Sequence, residues 1–438
     1  YLYSWVSIIG LGNVNTEPSG FLNFAYTSLS IFIGGSNHAG QVLFFYLGFV
    51  GVIGGMFIFA RTLGFSRSSS FIASAFYLLS FMVMSGMPIE IVNLRLIPFY
   101  VATPILFSIV VRVIRFSSNN RDLALFGIVS IFMASAGYTG PQYFILHLIF
   151  IISYSIFEVI KVWSNGDVRI RIFKQIFKLF LVMFLINTYW IGPLLFDLTG
   201  SYSNRAEPGL SDVDILRGLS VKPIDGFRML PYAEMRNIYP WMEYYYTPLM
   251  TFVIFGFLVI CGLVLLSSNK KSLVTYLGLL LIIILFLAKG IQEPLKSISE
   301  LIFLTSPYIT RLFRNPIYFE ILIVLIFALL IGLGLGEAIR KVYLKSRKAL
   351  LPMIIVIILI FGVYGWQFLI GAPIKTEQYN SLSQSVEVPK YFLELTRFLH
   401  DDFGTYRIMS VPTITPKSSL VVYNWKKIYF GIPILSLW

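Results

Sequence analysis

The sequence predicts an all-α polytopic membrane protein that ends in the start of an outer α/β or α+β domain. Three observations predict it. Ten apolar stretches of about 17–25 residues, each long enough to cross a bilayer, run from residue 40 to residue 371. The chain is 57% hydrophobic and only 13% charged, with a mean hydropathy of +0.79; a soluble globular chain carries about 25% charged residues. Basic residues fill every second gap between the stretches. A hydrocarbon core of about 30 Å takes roughly 20 apolar residues per helix. Amides in lipid must pair within their own segment, so the stretches are helices.

Residues 1–39 read as an outer loop with surface helices. YLYSWVSIIGLG is aromatic and amphipathic, and FLNFAYTSLSIFIGG (21–35) is too short to span and suits the interface. Spans 40–61 and 69–86 flank Arg61 and Arg67. Spans 95–112 and 122–139 flank Arg112, Arg115 and Arg121. Spans 142–161 and 173–197 flank Lys161, Arg169, Arg171, Lys174 and Lys178. Spans 247–267 and 272–288 flank Lys270 and Lys271. Spans 318–337 and 350–371 flank Arg340, Lys341, Lys345, Arg347 and Lys348.

These gaps hold 17 of the 34 Lys and Arg. The short gaps on the other side hold Arg95 in one and no cation in 140–142. The positive-inside rule then puts the basic gaps in the cytoplasm. Of the 21 acids, only Asp122, Glu158, Asp167 and Glu337 fall on the basic side. The net charge of +13 is a topology signal and requires no nucleic acid. The expected location is the cell membrane, multi-pass, with the lipid bilayer as first partner and with 1–39, 198–246, 289–316 and 372–438 extracytoplasmic. With 1–39 outside, a further helix upstream of Tyr1 is expected.

The outer segments differ in character. Residues 198–246 carry Pro208, Pro223, Pro231 and Pro240, with Tyr239 and Tyr244 to Tyr246 placed as an aromatic belt. Residues 289–316 are half apolar, as a re-entrant segment would be. Residues 372–438 begin with a polar linker. They continue as an amphipathic helix at 389–400 and strands in TYRIMSVPT and SSLVVYNW. The domain division is thus 1–371 membrane core and 372–438 outer domain.

Several chemistries are excluded. The one cysteine, Cys261, sits mid-helix, so there is no internal disulfide and no Cys-based metal site. His38, His147 and His400 lack ligand spacing, and no residue is assigned to a metal. GLGLG at 332–336 lies inside a helix and reads as close helix packing, not a phosphate loop.

Polar residues at outer helix ends are the candidates, because charge in hydrocarbon is costly. Glu90, Asn93 and Arg95 in MPIEIVNLRLIP could bind a polar ligand, or snorkel as a pair. Asp197, Tyr202, Arg205, Glu207 and Asp212 follow TYWIGPLLFD. Aromatic, acid and Arg together suit a sugar and a phosphate, although a solvated loop has the same composition. Arg311 and Arg314 in PYITRLFRNPIYFE sit at headgroup depth, where Arg clamps a lipid phosphate or anchors the helix.

Several segments carry a family resemblance. ARTLGFSRSSSFIASAFYLLS (60–80) has a short basic loop before a small-residue helix, and GMPIEIVNLRLIPFYVATPIL (86–106) a Glu-then-Pro outer turn. YWIGPLLFDLTGSYS (189–203) ends a helix in Trp and Pro before an SYS loop. FRNPIYFEILIVLIFALLIGLGL (313–335) leads from an Arg-Asn turn into a helix. VPKYFLELTRFL, RIMSVP and VVYNWKKIYFGIPIL lie within 388–435. In order and spacing these segments resemble the membrane core of C-type (GT-C) glycosyltransferases, most closely the large mycobacterial-type arabinofuranosyltransferases and their archaeal and bacterial relatives.

The resemblance implies a GT-C-like core that moves a sugar from a polyprenyl-phosphate donor to a cell-envelope glycan or glycolipid acceptor on the outer face. It places the main catalytic acid in the first outer loop, upstream of Tyr1. It makes Glu207 a second acid and Arg314 a donor-phosphate contact. A carboxylate would deprotonate the acceptor hydroxyl while polyprenyl phosphate leaves, with Arg or a divalent metal as the stabilising cation. A transporter would want mid-membrane charge and inverted repeats, neither of which the sequence displays. A non-catalytic envelope scaffold on the same fold is the other alternative.

Overall fold

The computed structural model describes residues 32, 37–84, 96–116, 120–131, 140–200, 213, 216–230, 240–268, 270–305, 316–370, 394, 420–422 and 428–430. Helices stand at each of the ten apolar stretches. In chain order they are α1 (Asn37–Thr62), α2 (Arg67–Leu79), α3 (Leu96–Phe116), α4 (Asn120–Ile131), α5 (Gly140–Lys161) and α6 (Gly166–Gly200). Next come a short α7 (Pro223–Phe227), α8 (Pro248–Ser267), α9 (Lys271–Ala288), a short α10 (Lys296–Phe303), α11 (Glu320–Lys345), α12 (Leu350–Tyr364) and a single turn, α13 (Trp366–Leu369). Among the described residues, five helices are long and apolar enough to cross a membrane: Phe144–Lys161, Pro248–Leu266, Lys271–Ala288, Glu320–Lys345 and Arg347–Tyr364. Tyr46–Thr62 is a shorter apolar helix. The protein is a helical membrane protein.

α11 is the centre of the bundle. It is buried without a break from Glu320 to Leu333, and it packs against α2, α8, α9 and α12. A helix that is apolar all round belongs inside other helices. α12 is equally apolar, yet only 11% of its span is buried, against 78% for α11. Leu351, Ile355, Val356, Ile358 and Leu359 stand exposed on it, so α12 carries a lipid-facing surface.

The glycines of 332–336 set the closest approach. A Cβ on Gly332 would lie 2.6 Å from the Ala73 Cβ and the Ser69 carbonyl oxygen of α2, and one on Gly336 would collide with Ser69. Gly334 faces α8 in the same way, its Cβ position 2.6 Å from Ile260 Cγ2. Small residues let helix backbones meet in a membrane, where dispersion rather than water drives association. On the other flank, Gly51 and Gly55 of α1 receive Val101 and Ile105 of α3. Gly127 of α4 receives Ile186 and Val182 of α6.

All five basic loops lie at one end of the bundle. Lys270 Nζ donates to the carbonyls of Gly64 and Leu63, joining the α8–α9 loop to the α1–α2 turn. Ser268 Oγ donates to Glu337 at 3.0 Å, joining the same loop to α11. Arg112 Nη2 donates to Asp122 at 2.7 Å, and Arg115 Nε donates to Glu158 of α5 at 2.7 Å. Here the helices outrun the apolar stretches: α3 continues to Phe116, α6 begins at Gly166 and α11 runs on to Lys345. The added turns are basic, and such side chains reach out to water from a helix end.

An aromatic cluster closes the opposite, distal end. Phe76 of α2 stacks on Tyr364 of α12 at 5.2 Å between centroids, and Phe257 of α8 meets both rings edge-on. Residues 240–246 form a 3-10 turn pinned there: Tyr244 donates to the Val363 carbonyl at 2.7 Å and Tyr245 to the Tyr364 carbonyl at 3.3 Å. In the 372–438 region, β1 (Leu420–Val422) pairs antiparallel with β2 (Ile428–Phe430). β1 falls within the expected SSLVVYNW strand, whereas the TYRIMSVPT strand lies outside the described residues. So does all of the 389–400 helix except Glu394, which is helical.

Candidate functional site at the distal end

The distal site is built around the C-terminal end of α9. Ala288 accepts a hydrogen bond from the Val221 amide at 3.0 Å, which docks the 216–230 segment beside it. Gln292 Nε2 donates back to the Ser220 carbonyl at 3.4 Å. Gly290 adopts φ +52°, and both Ser220 and Pro316 close over it, so a side chain here would be strained and obstructed. That contact brings 316–319, and with it the start of α11, to the same place.

Pro223 opens α7, where a missing amide costs nothing. Gly226 lets the turn approach α9, its Cβ position 3.0 Å from Leu285 Cδ2. Asp225 is thereby buried at 3% exposure. Its partner Arg228 lies at 3.9 Å, the far limit of an ion pair, and the guanidinium rests 5.3 Å from the Tyr246 ring centre.

Glu320 opens α11 and is fully buried. Neither of its carboxylate oxygens has a hydrogen-bond partner. Among the described residues, Asp225 is a charged group whose field reaches it. A buried carboxylate without donor or counter-ion costs several kcal/mol, which makes Glu320 the most unusual polar group among the described residues.

Lys289 is the nearest buried cation along α9, but it is engaged elsewhere. Its Nζ donates to the Gln292 carbonyl at 2.9 Å and to Ser299 Oγ, which ties α10 to the end of α9. Burial pulls its pKa below the ordinary lysine value, and Glu293 offsets part of that.

Glu90, Arg95, Tyr202, Arg205, Glu207, Asp212, Arg311 and Arg314 all lie outside the described residues. Glu320 is the last residue of the PYITRLFRNPIYFE segment, whose two Arg are the expected ligand contacts. Its sequence signal is an acid directly ahead of a long apolar run, and Asp225 in PIDGF has none beyond the Pro-Gly turn chemistry. His147 is buried between α5 and α3, with Nε2 3.2 Å from Thr103 Oγ1. No group of three or more His, Cys, Asp or Glu able to hold a metal occurs among the described residues.

Among the described residues, this end of the bundle offers the buried carboxylates of Glu320 and Asp225, with Arg228 and the Tyr246 ring beside Asp225. It can accept hydrogen bonds, take a proton, or hold a cation. Comparison with family models, with curated proteins and with solved structures gives no match.

Proposed function

We propose that the chain is the membrane core of a polyprenyl-phosphate-dependent glycosyltransferase of the GT-C type. In this reading the ten apolar stretches all cross the bilayer and the basic loops face the cytoplasm. The distal end, with residues 372–438, faces outward, where the donor sugar meets a glycan or glycolipid acceptor. The supporting sequence observation is the ordered set of resembling segments from residue 60 to residue 435. The structural observation that carries it is Glu320, a fully buried carboxylate without a partner at the end opposite the basic loops. Buried, uncompensated acids gather at sites that do chemistry or bind charge.

The division of labour follows from the residue types. Arg314, with Arg311 beside it, grips the donor phosphate and stabilises it as it leaves, because a guanidinium fork holds two oxygens. By residue type, Glu207, Tyr202, Arg205 and Asp212 are assigned to the sugar, and Glu90 and Arg95 to a polar group of the same ligand.

The test is affinity for a polyprenyl-phosphate sugar analogue, titrated into the full-length protein in detergent. Saturable binding is expected. Arg314→Ala should weaken it by about 1.5–3 kcal/mol, the range for a hydrogen bond to a charged group, and Arg314→Lys should recover part. Equal affinity in all three proteins would remove the assigned donor site, and no saturable binding would remove the function.

A further inference from the structure

We infer that residues 166–178, the first turns of α6 at the basic end of the bundle, form a binding face for anionic phospholipid headgroups. The burial pattern divides this part of the helix into three rows. Ile172, Gln175, Leu179 and Met183 are buried, and α6 packs there against α3, α4 and α5. Ile170, Phe173, Phe177 and Leu181 stand exposed, at the three- and four-residue spacing of one helix face. Arg171, Lys174 and Lys178 are exposed as well. Each follows a member of the apolar row by one residue, so the cations form a second row about 100° round the helix, alongside the first.

Length sets the depth of this face. α6 has 35 residues. The part beyond Lys178 runs roughly 33 Å at about 1.5 Å per residue, enough for a hydrocarbon core of about 30 Å. With that part across the bilayer, residues 166–178 stand at headgroup depth. Their apolar row would be unfavourable in bulk water, and the boundary between headgroups and acyl chains covers it. Trp163, just ahead of α6, is exposed and has Arg169 5.0 Å from its ring centre. An indole is favoured at that same boundary.

Charge selects the lipid. Among the described residues, none of Arg171, Lys174 and Lys178 has an ion-pair partner. The stretch 166–178 holds a single acid, Asp167, in its first turn. A zwitterionic headgroup carries its own cation and has little need of a second. An anionic headgroup leaves its phosphate charge for the protein, and a row of cations beside an apolar row meets phosphate and acyl chain together. The inference holds for either orientation of the chain and does not require that the protein transfer sugar.

The experiment counts bound lipids by native mass spectrometry. The full-length protein in detergent is titrated with phosphatidylglycerol or with phosphatidylcholine of the same acyl chains. The wild type should hold phosphatidylglycerol at least tenfold more tightly. Arg171→Gln, Lys174→Gln and Lys178→Gln should each weaken it about fivefold, the equivalent of about 1 kcal/mol per cation, and the triple variant should lose the preference. Lys174→Arg with Lys178→Arg should keep it. Arg67→Gln, Lys271→Gln and Lys348→Gln together remove the same charge from three separate loops and should also leave it in place. A second readout separates binding from folding: phosphatidylglycerol should raise the unfolding temperature of the wild type and leave that of the α6 triple variant unmoved. Equal affinity for the two lipids in the wild type, or equal loss in the two triple variants, would overturn the face as diffuse surface charge. A dimer that parts in the α6 triple variant, with no lipid preference, would overturn it in favour of a second copy of the chain.

Discussion

Arg115 of α3 donates from Nε to Glu158 Oε1 of α5 at 2.7 Å, and Tyr154 donates to the same oxygen at 2.8 Å. The cations of the basic end therefore do more than set orientation: some are built into helix–helix contacts. Glu158 is nearly inaccessible, its side chain 6% exposed against 20% for Arg115.

Removing one partner of a buried pair is far worse than removing both. Arg115→Ala should lower stability by about 3 kcal/mol, the low end for a broken buried pair because Arg115 keeps some solvent. Arg115→Met with Glu158→Gln should recover most of it. The measurement is thermal unfolding in detergent for the singles and the double, and additive losses would mean the two charges do not interact.

The approach of α2 and α11 depends on Gly332, whose Cβ position is 2.6 Å from Ala73 Cβ and from the Ser69 carbonyl. Gly332→Ala should destabilise by about 1–3 kcal/mol through overpacking. Gly256→Ala in α8 has open space around it and should gain about 0.5–1 kcal/mol from helix propensity. Opposite signs at the two glycines are the expected outcome, and a matched gain at Gly332 would contradict the packing described.

Lys270 gives a pH signature. Burial lowers its pKa first, Arg115 and Arg61 lower it further, and Glu337 offsets part. A lysine whose folded pKa lies below its unfolded value destabilises the fold while charged, and that cost is lifted as pH rises from the folded pKa toward about 10.4. Between those values the unfolded chain binds more protons, so stability rises with pH. The unfolding temperature should thus climb with pH on the approach to about 10.4 relative to Lys270→Met, where this contribution is absent. A parallel profile in the two proteins would show that Lys270 titrates normally.

Orientation is checked by labelling. In a Cys261→Ala background, an impermeant maleimide added to intact cells should modify cysteines placed at 212 and 385 but not at 343. Modification at 343 alone would invert the topology.

The basic end and the glycine contacts were legible because each is written locally. Lys and Arg recur at every second gap, and GLGLG marks a narrow helix face whatever partner it meets. Helix ends were less legible: α3, α6 and α11 continue past their apolar stretches because basic side chains reach water while the backbone stays helical. Glu320 was not legible as a site. Its isolation arises from three segments remote in sequence, 216–230, 289–292 and 316–319, meeting at the end of α9, and no local pattern in the sequence encodes that meeting. The sites drawn from loop chemistry, Glu90 and Arg95 through Arg314, fall outside the described residues, and their roles rest on residue type and resemblance.

Sugar transfer itself is the most direct measurement. The full-length protein, reconstituted in proteoliposomes, is supplied with radiolabelled polyprenyl-phosphate sugar and an envelope glycan fragment as acceptor. The glycosyltransferase reading predicts label moving into the acceptor, donor consumption matching product, and a loss of at least tenfold in Arg314→Ala. Intact donor and unlabelled acceptor, from protein that still binds the donor analogue and unfolds cooperatively, would contradict it and leave a membrane scaffold in its place.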